Sequence, residues 1–156
     1  MSNNNGTIPT LNVPSRREII TLAAARTLTE DQSGAVVVFN AAAGFTTTLP
    51  ANCANGTFFE FVVGVTVTSV GLKVITGAAT ELMIGNIVNT DTDTTDAVAS
   101  WKSLVGTSNI SFTLNGTTSG GLIGDRIMVT KITSTKWQVT GTTLATGVVV
   151  TPFATS

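Results

Sequence analysis

The chain has 156 residues and a mass of 16.0 kDa, enough for one domain and hardly two. Only 11% of its residues are charged, eight Lys/Arg against nine Asp/Glu, and the mean hydropathy is +0.38. A pI near 5.2 with no cluster of Lys/Arg argues against nucleic acid or anionic lipid as a primary partner, and no apolar run is long enough to span a membrane.

In chain order, Met1 to Pro14 reads as an extended arm: Asn3-Asn4-Asn5-Gly6, then Pro9 and Pro14, with little to bury. Ser15-Arg16-Arg17 before Ile19-Ile20-Thr21-Leu22-Ala23-Ala24-Ala25 has the outline of a twin-arginine export signal, but the apolar run is short for one. The plainer readings are a Ser15-to-Glu18 capping box opening one helical turn, or a strand entry at Ile19. The expected division is an arm over 1–18 and a single domain over 19–156.

Thr29 to Gly34 predicts one helical turn, with Thr29 and Gln32 as its cap pair and Gly34 as its stop. Strands are then predicted at Ala35–Phe39, Phe45–Leu49, Thr57–Val63, Val65–Val70, Leu72–Thr76, Leu82–Ile87, Ile110–Leu114, Arg126–Thr133, Trp137–Thr143 and Val148–Phe153. Ser134-Thr135 joins two of them as a hairpin. Thr, Val and Ile make up 58 of the 156 residues, and such β-branched side chains favour a pleated surface over a helix. The fold class expected is an all-β antiparallel sandwich or barrel of about ten short strands, with no fixed-period repeat.

Two polar segments interrupt the strands. Asp91, Asp93 and Asp96 offer alternating hard oxygen ligands, yet an EF-hand would need Gly at Asp96 and Glu at Lys102, so a solvated loop is the better reading. Asn115 to Gly121 lacks the Gly-Lys-Ser/Thr ending of a phosphate loop and reads as a linker. The chain has no His and no Tyr, so Ser-His-Asp and Cys-His machinery and His-ligated zinc are excluded. Cys53, the single cysteine, has no base to activate it and no partner for an internal disulfide. Glu60, Glu81 and Asp125 could supply a carboxylate pair, but nothing in the sequence singles them out. Trp101 and Trp137 suit core or subunit interface better than sugar stacking.

The succession Arg26-Thr-Leu-Thr-Glu-Asp-Gln-Ser-Gly34, Val36-Val-Val-Phe39, Ala43-Gly-Phe-Thr-Thr-Thr-Leu-Pro50, Asn55-Gly56 and Phe59-Glu-Phe61 forms a pattern. It continues with Gly124-Asp-Arg-Ile-Met-Val129 and Trp137-Gln-Val-Thr-Gly141. Over Arg26 to Thr155 this resembles the small all-β decoration, or cement, proteins of tailed-bacteriophage capsids, and also the β-domains of phage head and tail fibres. The motifs are turn and strand grammar, not a chemical signature. The resemblance implies a non-enzymatic virion protein without catalytic residues, and no cofactor is expected; whether Asp91, Asp93 and Asp96 hold a metal is left open by the sequence. The protein would be a homotrimer on the outer capsid surface that clamps the major capsid protein and stiffens the shell; the alternative is a fibre or receptor-binding module. Low charge density suits such a role, because uncharged faces are cheaper to desolvate. Arg16, Arg17, Trp101 and Phe153 are the expected capsid or subunit contacts.

Overall fold

A computed structural model describes residues 16–93, 98–103 and 108–156. The described chain is all β apart from one 3-10 turn at Glu30–Gln32. There the Gln32 side chain accepts the Thr29 N–H at 3.0 Å, and Gly34 follows at φ +91°. This is the cap pair and stop the sequence predicts.

Twelve strands form two open sheets. The first has the order β1 (Ile19–Leu22), β3 (Val36–Phe39), β5 (Phe58–Val63), β10 (Arg126–Thr133), β11 (Lys136–Ala145), β7 (Leu82–Asp91), β8 (Ala99–Ser103). The second runs β12 (Phe153–Ala154), β9 (Ser111–Leu114), β6 (Leu72–Ile75), β4 (Thr46–Thr48), β2 (Arg26–Thr27). All-β character is as expected; uniformly antiparallel pairing and barrel closure are not found. β1, β3 and β5 pair in parallel, as do β2, β4 and β6, and β11 with β7.

The physical reason lies in the connections. From β1 to β6 the chain changes sheet after every strand, so each return to a sheet is made in the same direction. The first half is therefore a parallel coil of three turns. Its turns are unequal: Ile19 pairs with Val36 and Val36 with Glu60, 17 and then 24 residues on. That inequality hides the repeat from a fixed-period search. Only β10 and β11 form the tight hairpin that the sequence signals, through Ser134-Thr135.

Other boundaries also differ. Residues 65–70 are loop, tied by a bridge from Ser69 to Ala43, and strand structure in 148–153 is confined to Phe153. Arg26–Thr27 and Ala99–Ser103 are strands the sequence did not announce. Residues 1–15 of the expected arm lie outside the described residues, while Glu18 O already accepts the Val36 N–H at 2.8 Å.

The core lies between the sheets and is spanned by an aromatic chain. Phe39 stacks on Phe61 at 5.5 Å, Phe61 meets Phe112 of the second sheet edge-on at 6.2 Å, and Phe45 meets Phe39 at 5.6 Å. Alternation puts Phe59, Phe61 and Val63 inward and leaves Phe58, Glu60 and Val62 on the outer face.

Candidate functional site

β1, β3, β5, β7 and β11 all finish at one end of the first sheet, here the upper end. The connections 23–25, 40–45, 64–71, 115–124 and 146–152 gather there, and none of these five contains Lys, Arg, Asp or Glu; the connection that follows β7 meets them with the exposed Asp93, whose carboxylate is held by Gly147. They are knitted by backbone hydrogen bonds: Thr68 N–H to Ala42 O, Val67 N–H to Gly121 O, Thr146 N–H to Thr117 O and Val150 N–H to Thr118 O, all within 3.0 Å. Among the described residues nine large hydrophobics are exposed, and six belong to this end: Val70, Val98, Ile123, Leu144, Val148 and Val150. Exposed aliphatic side chains are thus concentrated at this end of the first sheet.

Val70 carries the sharpest signal. Its backbone sits at φ +48°, a left-handed conformation that costs a β-branched residue about 1–2 kcal/mol, while its side chain is 77% exposed. Within the chain that side chain gains almost nothing in return. The segment cannot relax toward its neighbour, because Gly44 packs so closely that an added Cβ would lie 1.5 Å from Val70 O.

Three buried carboxylates serve the fold. Asp125 accepts N–H bonds from Gly121 (2.7 Å), Leu122 (3.1 Å) and Leu144 (2.7 Å), tying the glycine-rich loop to β11 beneath the upper end. Burial pushes its carboxyl above the usual range, and the three donors only partly oppose this. Glu81 accepts from Trp137 Nε1 and Asn52 N, each at 3.0 Å, and pairs with Lys131; the pair is fully buried. Burial pushes Glu81 up, but Lys131, Trp137 and Asn52 together outweigh it and hold the carboxyl below its ordinary value. Glu60 is buried on the outer face of the first sheet under Arg17 and Arg126.

The two perturbed carboxyls act in opposite directions on acid stability. Asp125 has a folded pKa above 3.8, so protonation favours the fold, and its contribution grows as pH falls through the folded value. Glu81 has a folded pKa below 4.5, so the stability it supplies is complete above 4.5 and is lost as pH falls toward the folded value. Urea unfolding from about pH 7 to about pH 3 is expected to show a steep loss below 4.5 that flattens in Glu81→Gln. Identical acid limbs in the two proteins would locate the loss elsewhere.

The expected contact residues separate. Arg16 is exposed. Arg17 is engaged within its own chain, donating to Gly34 O at 2.7 Å, pairing with Glu60 and lying 5.7 Å from the Phe58 ring. Trp101 is half-buried against the core. Phe153 is buried, paired through β12 with Phe112, so its ring belongs to the core and not to an outward contact. Trp137 is fully buried. Cys53 is buried too, and burial pushes its thiol up. Asp96 lies outside the described residues; Asp93 Oδ2 accepts the Gly147 N–H at 2.7 Å, and no group of three metal-ligating side chains occurs among the described residues.

The outer face of the first sheet holds a groove of about 370 Å³ lined by Glu60, Asn86, Arg126, Met128, Thr140, Gly141 and Thr142. The strand registers account for it. Glu60, Met128, Thr140, Asn86 and Lys102 form one row across the sheet, with Val62, Arg126, Thr142, Val88 and Ser100 in the next.

Neither the aliphatic end nor the groove was legible in the sequence, since each gathers residues from distant parts of the chain. The available signal was the absence of charge in five connections. No family model, curated protein or solved structure matches this chain.

Proposed function

We propose that the chain is a structural virion protein, a capsid decoration or cement protein that binds the outer surface of a tailed-phage shell as a homotrimer and stabilises it. The observation that carries this reading is the aliphatic upper end, with Val70 held in a costly conformation at an exposed tip. A surface poor in ionic groups, with Asp93 already bonded to Gly147 N–H, meets a partner with little desolvation cost, and aliphatic tips on hydrogen-bonded loops lose little entropy on docking. Three weak contacts on one oligomer add through effective concentration into a lasting clamp.

The test is binding to expanded capsids assembled without the protein, with light scattering for the oligomeric state. Val70→Gly relieves the backbone strain and is expected to leave the fold as stable or up to about 1 kcal/mol more stable, yet to weaken capsid binding at least about tenfold. Ile123→Asp, which places a charge on the same end, should abolish binding. A 16 kDa monomer indifferent to capsids would overturn the proposal. A fibre or receptor-binding module is the second reading, favoured by the groove on the opposite kind of surface; it predicts adhesion to host material and no rescue of heated shells.

A further inference from the structure

The outer face of the first sheet differs chemically from the aliphatic end. Arg17, Arg126, Lys102 and Lys136 stand on it against one carboxylate, Glu60, which is buried beneath two of them. Of the other acids, Glu81 and Asp125 are buried, and Glu30 and Asp31 occupy the lower end, so these four cations face solvent with little opposing charge beside them.

Arg126 is the group best placed to use that charge. Its side chain is 64% exposed and lines the groove; its Nε is spent on Glu60, and its terminal nitrogens take no partner among the described residues. A guanidinium fork of this kind suits a carboxylate bidentately. The lining holds one cation, Arg126, and one carboxylate, Glu60, which Arg17 also covers; that balance leaves room for one further negative charge at most and disfavours a doubly charged phosphate. Beside the fork, Asn86, Thr140 and Thr142 supply exposed amide and hydroxyl groups, with Met128 as an apolar contact.

The occupant follows from shape and position. The groove lies over β5, β10, β11 and β7, inside the sheet, where no free strand edge is available to an extended peptide. No aromatic ring lines it, so a neutral sugar has nothing to stack on. Its volume of about 370 Å³ is in the range of small-ligand sites. From these we infer that the groove binds a carboxylate-bearing saccharide of the uronic-acid type, its carboxylate on Arg126 and its ring hydroxyls on Asn86, Thr140 and Thr142.

Calorimetric titration of the full chain with a galacturonate trisaccharide and with its methyl ester tests this. The acid is expected to bind, the ester at least about tenfold more weakly, with affinity falling as salt rises. Arg126→Gln and Thr140→Val should each lose about tenfold or more; Arg17 still covers Glu60 in the first, and the second is nearly isosteric at an exposed site, so melting temperatures should stay close to the parent. No binding at millimolar saccharide, equal binding of acid and ester, undiminished binding by Thr140→Val, or tighter binding of an aspartate-rich peptide would each overturn the inference. Val70→Gly should leave saccharide binding unchanged, so failure here and failure of the capsid reading are separable.

Discussion

Lys131→Met is expected to lower the unfolding free energy by about 3–5 kcal/mol, and with it the melting temperature by about 10 °C. The variant leaves Glu81 fully buried with its counter-charge gone, holding only the Trp137 Nε1–H and Asn52 N–H donors. Removing one partner of such a pair is far more damaging than removing both, because the remaining charge keeps its full desolvation cost. Lys131 also stands 5.0 Å from the Trp137 ring, so the methionine gives up a cation–π contact while keeping the apolar stem. The double variant Lys131→Met/Glu81→Gln should therefore recover much of the loss. Equilibrium urea denaturation of the three proteins measures it. A single variant within about 1 kcal/mol of the parent would show that the pair is not desolvated as the burial implies.

Phe61→Ala is expected to cost a further large amount, about 3–5 kcal/mol. Phe61 stacks on Phe39 within its own sheet and meets Phe112 edge-on across the core, so truncation opens a cavity between the two sheets and removes two ring contacts at once. β3 and β5 flank the site of loss and bear the outer-face residues around Glu60. Phe61→Leu, which refills most of the space, should recover more than half of the stability. The same denaturation series reads this out, and a loss below about 1 kcal/mol in the alanine variant would mean that the sheets close over the gap.

These two effects bear on the proposed roles. The aliphatic end and the cationic face are built on a frame whose inward side is fixed by the aromatic chain and the buried ion pair. Both variants should impair capsid and saccharide binding only in proportion to unfolding, whereas Val70→Gly and Arg126→Gln should impair one binding each with the fold intact.

Much was readable from residues alone. β-branched abundance and two-residue alternation determined an all-β chain; Thr29 with Gln32 determined one helical turn, which the structure makes 3-10; Ser134-Thr135 determined the hairpin. The absence of charge from five connections was also present in the sequence, though not that they meet. Strand direction was left open, because a period of two is the same in parallel and antiparallel sheets; only the passage of the chain from sheet to sheet decides it.

Burial of charge was open for a related reason. In Arg126-Ile-Met-Val-Thr-Lys-Ile-Thr133 alternation allows either phase, and a lysine would by itself be turned outward. The tertiary structure turns Lys131 inward with Ile127 and Val129, since Glu81, fifty residues away, meets it there. Local pattern fixes which residues alternate; the long-range partner fixes which side is dry, because a charge can leave water only where another compensates it.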